Sequence, residues 1–215
     1  MIFGTGGFAE CAHFYFTHDS DYEVVAFTVS ADRIERDEIF GLPVIPFEEV
    51  AECYPPPEFA MFVAVGYARV NHVRADFYER AKAKGYELVT YVSSRATTWP
   101  GLEIGDNSFV FEDNTIQAFA KVGSDTVLWS GNHIGHHSRI GDHCFITSHV
   151  VVSGYVEVGA YTFIGVNATL RDSITIGEEN VIGAGALIMK STADREVYIE
   201  PRTKRDSRTS DVLGF

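Results

Sequence analysis

Between Ile104 and Ile188 every sixth residue is aliphatic, from Ile104, Val110, Ile116 and Val122 through to Ile176, Ile182 and Ile188, fifteen positions without an exception. An amphipathic helix needs a spacing near 3.6 and a simple strand needs 2, so a strict period of six belongs to neither alone. It predicts a repeat architecture. The residue after the aliphatic one is glycine at 105, 123, 135, 141, 159, 165, 177 and 183, and the fifth position is mostly small, as at Ser108, Ala120, Cys144 and Ala168. Short strands that turn their first and fifth positions inward, and bend where glycine relieves the backbone, would bury a narrow aliphatic column. Three such strands make one triangular coil of eighteen residues, and fifteen hexads make five coils stacked for backbone pairing.

The first hundred residues follow a different pattern. Met1 to Phe3 is a short apolar start, Phe8 to Thr17 has helical character, and Tyr22 to Val29, Leu42 to Ile45 and Phe59 to Val65 read as strands. Pro46 to Cys53 reads as a short helix, Asn71 to Lys84 as a helix ending at Gly85, and Leu88 to Val92 as a closing strand. Strands alternating with helices predict a small parallel sheet covered on both faces, with Pro100-Gly101 as its boundary. A three-residue first strand is short, which raises the expectation that the natural start lies upstream.

The repeat [LIV]-G-x-x-[small]-x resembles the hexapeptide-repeat acyltransferases. That resemblance implies a left-handed parallel β-helix, a homotrimer, and acetyl-CoA bound in grooves between subunits. The expected fold is therefore α/β plus all-β: a Rossmann-like domain over 1–100, the left-handed β-helix over 101–190 and an extension over 191–215.

Composition and charge narrow the partners. The chain has 215 residues, 46% of them hydrophobic, and a net charge of −13, so a polyanion such as nucleic acid would be repelled over most of its surface. Cys11, Cys53 and Cys144 are odd in number and unclustered, which fits reduced thiols in a cytoplasm rather than a disulfide frame. No apolar run is long enough to span a membrane, and a cytoplasmic protein is expected.

Two places carry candidate chemistry. Gly4, Gly6 and Ala9 fit G-x-G-x-x-G/A between a strand and a helix, where bare backbone and a helix N-terminus suit phosphate. Gly7 and Phe8 lie in the same loop, and Asp32, near the tip of the second strand, is the acidic residue a dinucleotide site would want. A unit of about 100 residues is one mononucleotide-binding half. Such a domain ahead of a hexapeptide coil resembles the sialic-acid O-acetyltransferase and bacillosamine N-acetyltransferase type, through GTGGFA, the Gly41–Ile45 segment, and Val65-Gly66-Tyr67 followed by Asn71 and Arg74. The resemblance implies a nucleotide-sugar site at Gly4, Gly6, Gly7, Phe8, Asp32 and Asn71, and acetylation of an amino or hydroxyl group for bacterial surface glycan synthesis such as lipopolysaccharide O-antigen. The usual acidic pair after the second strand is absent from FTVSAD, which leaves base and sugar open.

Five of the eight histidines, His133, His136, His137, His143 and His149, fall within seventeen residues. Such a cluster suggests a metal site or a general base. No two of them differ by eighteen, so none stacks on a neighbouring coil and no metal site is expected within one subunit. Aligned on Ile140-Gly141, the resemblance places the catalytic base on His136, with His137 where an acidic neighbour is usual and His133 as a rival. Gly154, eighteen residues after His136, should lie directly over it and offer its N–H to an oxyanion. Gly165, Val166, Gly183 and Ala184 are the expected acetyl-CoA loops, joined by Gly154 and by Lys204 in the basic tail. His143 and His149 read as exposed corner residues. A zinc-dependent γ-carbonic-anhydrase-like lyase and a non-catalytic scaffold are the alternatives to a sugar N-acetyltransferase.

Overall fold

The computed structural model describes residues 1–56, 58–199, 205, 207 and 208. All fifteen hexads form two-residue strands, β7 to β21, spaced six residues apart from Glu103–Ile104 to Leu187–Ile188. Each pairs in parallel with the strand eighteen residues away, as Val122 does with Ile104 and Ile140. The aliphatic positions fill the column: Leu128, Ile134, Ile140, Ile146, Val152 and Ile164 are fully buried. Two further strands cap the coil: β6 (Tyr91–Val92) pairs with Phe109–Val110, and β22 (Val197–Tyr198) with Val181–Ile182. The segment expected as a closing strand thus divides, with Leu88 bridging Met61 in the first sheet and Tyr91 joining the coil.

Glycine acts differently from the expectation. The glycines after the aliphatic residues do not lie in the left-handed region; that conformation falls two residues later, at Asn107, Asp125, His137, His143, Tyr155 and Tyr161 among others, with φ between 52° and 60°. What demands glycine is the closeness of the coils. A Cβ on Gly135 would meet Ser153 C at 2.5 Å, and one on Gly159 would meet Glu178 N at 2.6 Å.

The sixth hexad position points outward, and its eighteen-residue spacing gives the coil three unlike faces. One carries Glu103, Lys121, Arg139 and Glu157 (the charged face), the next Phe109, Val127, Phe145 and Phe163 (the aromatic face), and the third Thr115, His133, Val151, Thr169 and Leu187 (the mixed face). Rings cannot be left in water in such number at no cost. The N-terminal unit covers them.

That unit is a five-stranded sheet in the order β3 (Glu38–Ile39), β4 (Leu42–Pro46), β2 (Phe27–Val29), β1 (Ile2–Phe3), β5 (Phe62–Val63), parallel except for the β3–β4 hairpin. Helix α1 (Gly7–His18) lies between one face of the sheet and the aromatic face of the coil, burying Ala9, Ala12 and Phe16 with Phe109, Phe111 and Phe145. The other face of the sheet packs on α2 (Val50–Cys53) and α3 (His72–Ala83) through Phe3, Phe47, Val50 and Tyr78.

Helix α3 also locks the two units together. Arg74, with no exposed surface, donates to Asp125 Oδ1 at 3.1 Å and to the carbonyls of Asp125, His143 and Cys144 at 3.0, 2.9 and 3.2 Å. The second carboxylate oxygen of Asp125 bonds His143 Nδ1 at 2.8 Å, and Asn107 Nδ2 donates to the first at 2.7 Å. The buried charges are thus paired and hydrogen-bonded, the condition under which burial is tolerated. His143, expected at an exposed corner, is buried here because α3 covers its edge of the coil.

Candidate functional site

The glycine loop follows β1 at the point where the sheet's strand order reverses, β2 lying on one side of β1 and β5 on the other. Ligands of open α/β sheets occupy the crevice at that point, beyond the carboxyl ends of the strands. A cavity of about 720 Å³ lies there, lined by Gly4, Gly6, Gly7, Phe8, Ser30, Asp32, Arg33 and Gly66 among others. Gly4 has φ 120°, and a Cβ on it would meet Ala64 O at 2.7 Å, so the turn requires glycine. Gly6 caps α1 in extended backbone without a side chain, leaving the first N–H groups of a twelve-residue helix turned toward the cavity. Arg36 steadies the loop by donating to Thr5 O at 3.0 Å and Glu10 Oε1 at 3.1 Å. Five of the six expected substrate residues therefore meet. Asn71 does not. It is fully buried in left-handed backbone, its Nδ2 donates to Tyr161 O at 2.8 Å, and its Oδ1 accepts from Arg74. Its role is docking the two units.

The histidines scatter over the coil as a triangular path dictates. His136 and His137 are exposed on the edge between the mixed and charged faces, His133 is half-buried on the mixed face, and His149 is exposed on the edge between the aromatic and mixed faces. Among the described residues no three His, Cys, Asp or Glu side chains converge as a metal site. The residue stacked over His136 is Gly154: a Cβ there would lie 2.8 Å from His136 Cε1 and 2.9 Å from Nε2. Among the described residues the Gly154 N–H meets no acceptor, whereas its carbonyl takes the Ser173 N–H. The His136 N–H is held by Gln117 Oε1 at 2.9 Å, and His136 Nδ1 lies 3.1 Å from His137 Nδ1.

A ladder of rings flanks this edge: His137 stacks on Tyr155 at 4.8 Å and tilts against Phe119 at 4.7 Å. Phe119 is 74% exposed, and with Trp99, Leu102, Gln117 and Lys121 it lines a cavity of about 520 Å³ below His136. Phe119 and Tyr155 are additions to the expected site. Their spacing of eighteen from His137 on either side was the signal that could have found them.

The four expected acetyl-CoA residues divide into two glycines turned to the coil and two exposed neighbours. Gly165 is buried and Gly183 donates its N–H to Tyr198 O, while Gly165 donates to Ile182 O. Their glycines serve coil packing, since a Cβ on Gly165 would meet Ala184 N at 2.5 Å. The exposed residues are Val166 and Ala184, whose N–H groups meet no acceptor among the described residues. Both lie on the edge between the aromatic and mixed faces, so within one chain they are separated from His136 by the width of the mixed face. The glycine-loop cavity also lies away from His136: Phe8 packs on Phe109, Trp129 and Phe145 of the aromatic face, opposite the His136 edge. Lys204 lies outside the described residues.

Two family models match the coil: the bacterial transferase hexapeptide (six repeats) over residues 119–154, and the hexapeptide repeat of succinyl-transferase over 155–190. No curated protein matches the chain in sequence. Among solved structures, PerB from Caulobacter crescentus in complex with CoA and GDP-perosamine is similar at a TM-score of 0.83 and 25% identity, over 93% of this chain and 92% of that one. A histidine-to-asparagine variant of perosamine N-acetyltransferase from the same organism, with the same ligands, gives 0.82 and 24% over 93% and 92%. The acetyltransferase domain of PglB from Neisseria gonorrhoeae gives 0.75 and 25% over 88% and 90%. Residues 119–190 thus match hexapeptide-repeat models, and the stacked strands of the coil follow that six-residue spacing.

Proposed function

We propose that the protein transfers an acetyl group from acetyl-CoA to the amine of a nucleotide-linked sugar, in the manner of the sialic-acid O-acetyltransferase and bacillosamine N-acetyltransferase type. The observation that carries this reading is an exposed imidazole whose Nε2 faces a glycine, one coil away, whose N–H meets no acceptor among the described residues. The likeness to PerB, solved with CoA and GDP-perosamine, supports the same substrate classes. The amine nitrogen attacks the thioester carbonyl, a C–N bond forms and the C–S bond breaks. His136 Nε2 takes the amine proton and returns it to the departing sulfur, so that CoA leaves as its thiol. The Gly154 N–H points at the oxygen on which charge develops, a role worth roughly 3 kcal/mol per donor. No acyl-enzyme is needed.

The N-terminal unit is read as one Rossmann-like half, with the diphosphate at the N-terminus of α1 and the nucleoside toward Asp32. The coil is read as left-handed and the assembly as a homotrimer. Support for the assembly comes from the separation described above: His136 lies on one edge, Val166 and Ala184 on another, and the glycine-loop cavity over the face opposite His136. One chain supplies these parts on different sides, and neighbouring copies would bring them together. The domains are read as 1–100, 101–190 and 191–215, and the enzyme as cytoplasmic.

The test is thiol release from acetyl-CoA in the presence of GDP-, UDP- or dTDP-linked amino sugars, with His136→Ala and His133→Ala beside the unaltered enzyme. Loss of transfer on the order of 10³-fold in His136→Ala is expected from removal of a general base. Near-normal transfer in His136→Ala with abolition in His133→Ala would reassign the base.

A further inference from the structure

We propose that His137 is a positioning residue which accepts the Nδ1–H of His136, so that the Nε2 of the base is left bare toward Gly154. This deepens the reading of His136 as general base and rests on it.

Two imidazole Nδ1 atoms 3.1 Å apart can bond only if one donates and the other accepts, so a single proton lies between them. Only one of the two arrangements leaves a base. If His137 donated, the remaining proton of neutral His136 would sit on Nε2 and no lone pair would face Gly154. If His136 donates, its Nε2 is bare on the side where a Cβ of residue 154 would lie at 2.9 Å. The ring of His137 is held for this task, stacked on Tyr155 with 15° between planes and flanked by Phe119. His136 is tethered from below through its N–H to Gln117 Oε1.

The partner is neutral. The groups facing the pair are Gln117 and Phe119 from the coil below and Gly154 and Tyr155 from the coil above, of which Tyr155 alone titrates. Among the described residues no carboxylate bonds either ring. A carboxylate would favour the imidazolium by charge, whereas an imidazole acceptor favours it by the hydrogen bond alone. When the substrate proton reaches Nε2, the Nδ1–H bond becomes charge-assisted, and the proton then leaves from Nε2 to the sulfur. A second proton would set N–H against N–H and break the pair.

Two substitutions separate this role from packing. Phe119 (φ 66°) and Glu179 (φ 56°) occupy the same hexad position as His137, so His137→Phe and His137→Glu both suit the corner. The measurement is the tautomer of the neutral His136 imidazole, read from its ring-nitrogen NMR shifts in the full chain, together with kcat and KM. The proton of neutral His136 should sit on Nδ1 in the unaltered protein and in His137→Glu, and shift toward Nε2 in His137→Phe, which offers Nδ1–H no acceptor. In His137→Phe, kcat should fall on the order of 10²-fold with the KM for acetyl-CoA within about twofold, and His137→Glu should restore much of it. A purely packing role predicts the same His136 tautomer and an unchanged kcat in His137→Phe, and that result would overturn the proposal. The tautomer measurement needs no turnover. Were the tautomer change observed while His136→Ala transferred acetyl normally, the pair would stand and the base assignment would fail.

Discussion

Gly154 and Gly135 lie on the same edge of the coil, and replacing each with alanine separates chemistry from folding. The new Cβ in Gly154→Ala would fall 2.8 Å from His136 Cε1 and 2.9 Å from Nε2. Those atoms are the far end of an exposed side chain, so the ring can swing aside, and the cost to stability should stay near the lower end of the 1–3 kcal/mol typical of overpacking, about 1 kcal/mol. The ring's new position no longer faces the thioester. If general-base catalysis is lost, kcat/KM should fall about 10³-fold, or roughly 4 kcal/mol of barrier at 1.36 kcal/mol per decade. In Gly135→Ala the Cβ would meet Ser153 C at 2.5 Å and Gly154 N at 2.6 Å. Backbone held by ladder bonds to two coils cannot swing away. That variant should lose several degrees of thermal midpoint before any question of activity arises. The assay is thiol release beside a melting curve for each protein. Full activity in Gly154→Ala, or a loss of activity matched by an equally large loss of midpoint, would refute the reasoning.

Two further outcomes follow from the same geometry. Arg74→Met removes the cation from a buried network and leaves Asp125 with only His143 and Asn107; breaking such a pair costs about 3–5 kcal/mol, and at about 2–4 °C per kcal/mol for a chain of this size the midpoint should drop by roughly 10 °C in calorimetry. The Asp19 carboxyl, held down to about 2 by hydrogen bonds from Ser94, Tyr91 and Ser93, joins α1 to the start of the coil. A depressed folded-state value adds stability above the unfolded carboxyl's range and loses it as the proton returns, so the advantage of the unaltered protein over Asp19→Asn, about 1–2 kcal/mol near neutrality, should vanish as pH falls from about 4 to 2 in urea melts.

Much of the coil was legible because its information is local and repeated. A hexad that buries one aliphatic side chain per turn states the strand, the corner and the stacking offset at once, and Gly154 over His136 follows by counting eighteen. The glycine loop was legible for a similar reason, since a tight turn before a helix leaves its mark in adjacent residues. The strand expected from Tyr22 shrank to Phe27–Val29, because an apolar run does not say which of its residues will find a partner.

The sequence by itself therefore determined the path of the chain: three short strands per coil, five coils, and a parallel sheet with a glycine turn ahead of them. Only the tertiary structure decided which corner residues face water. His143 and His137 share a hexad position and a left-handed backbone, yet His143 is buried against Asp125 beneath α3 while His137 stands exposed beside His136. The repeat is blind to that difference, because what covers an edge is supplied by residues some seventy positions away. Asn71 shows the same limit: its place after Val65-Gly66-Tyr67 suggested a ligand, and the packing of α3 on the coil spent its amide on two carbonyls instead. Burial is a property of the assembled surfaces, and no local pattern carries it.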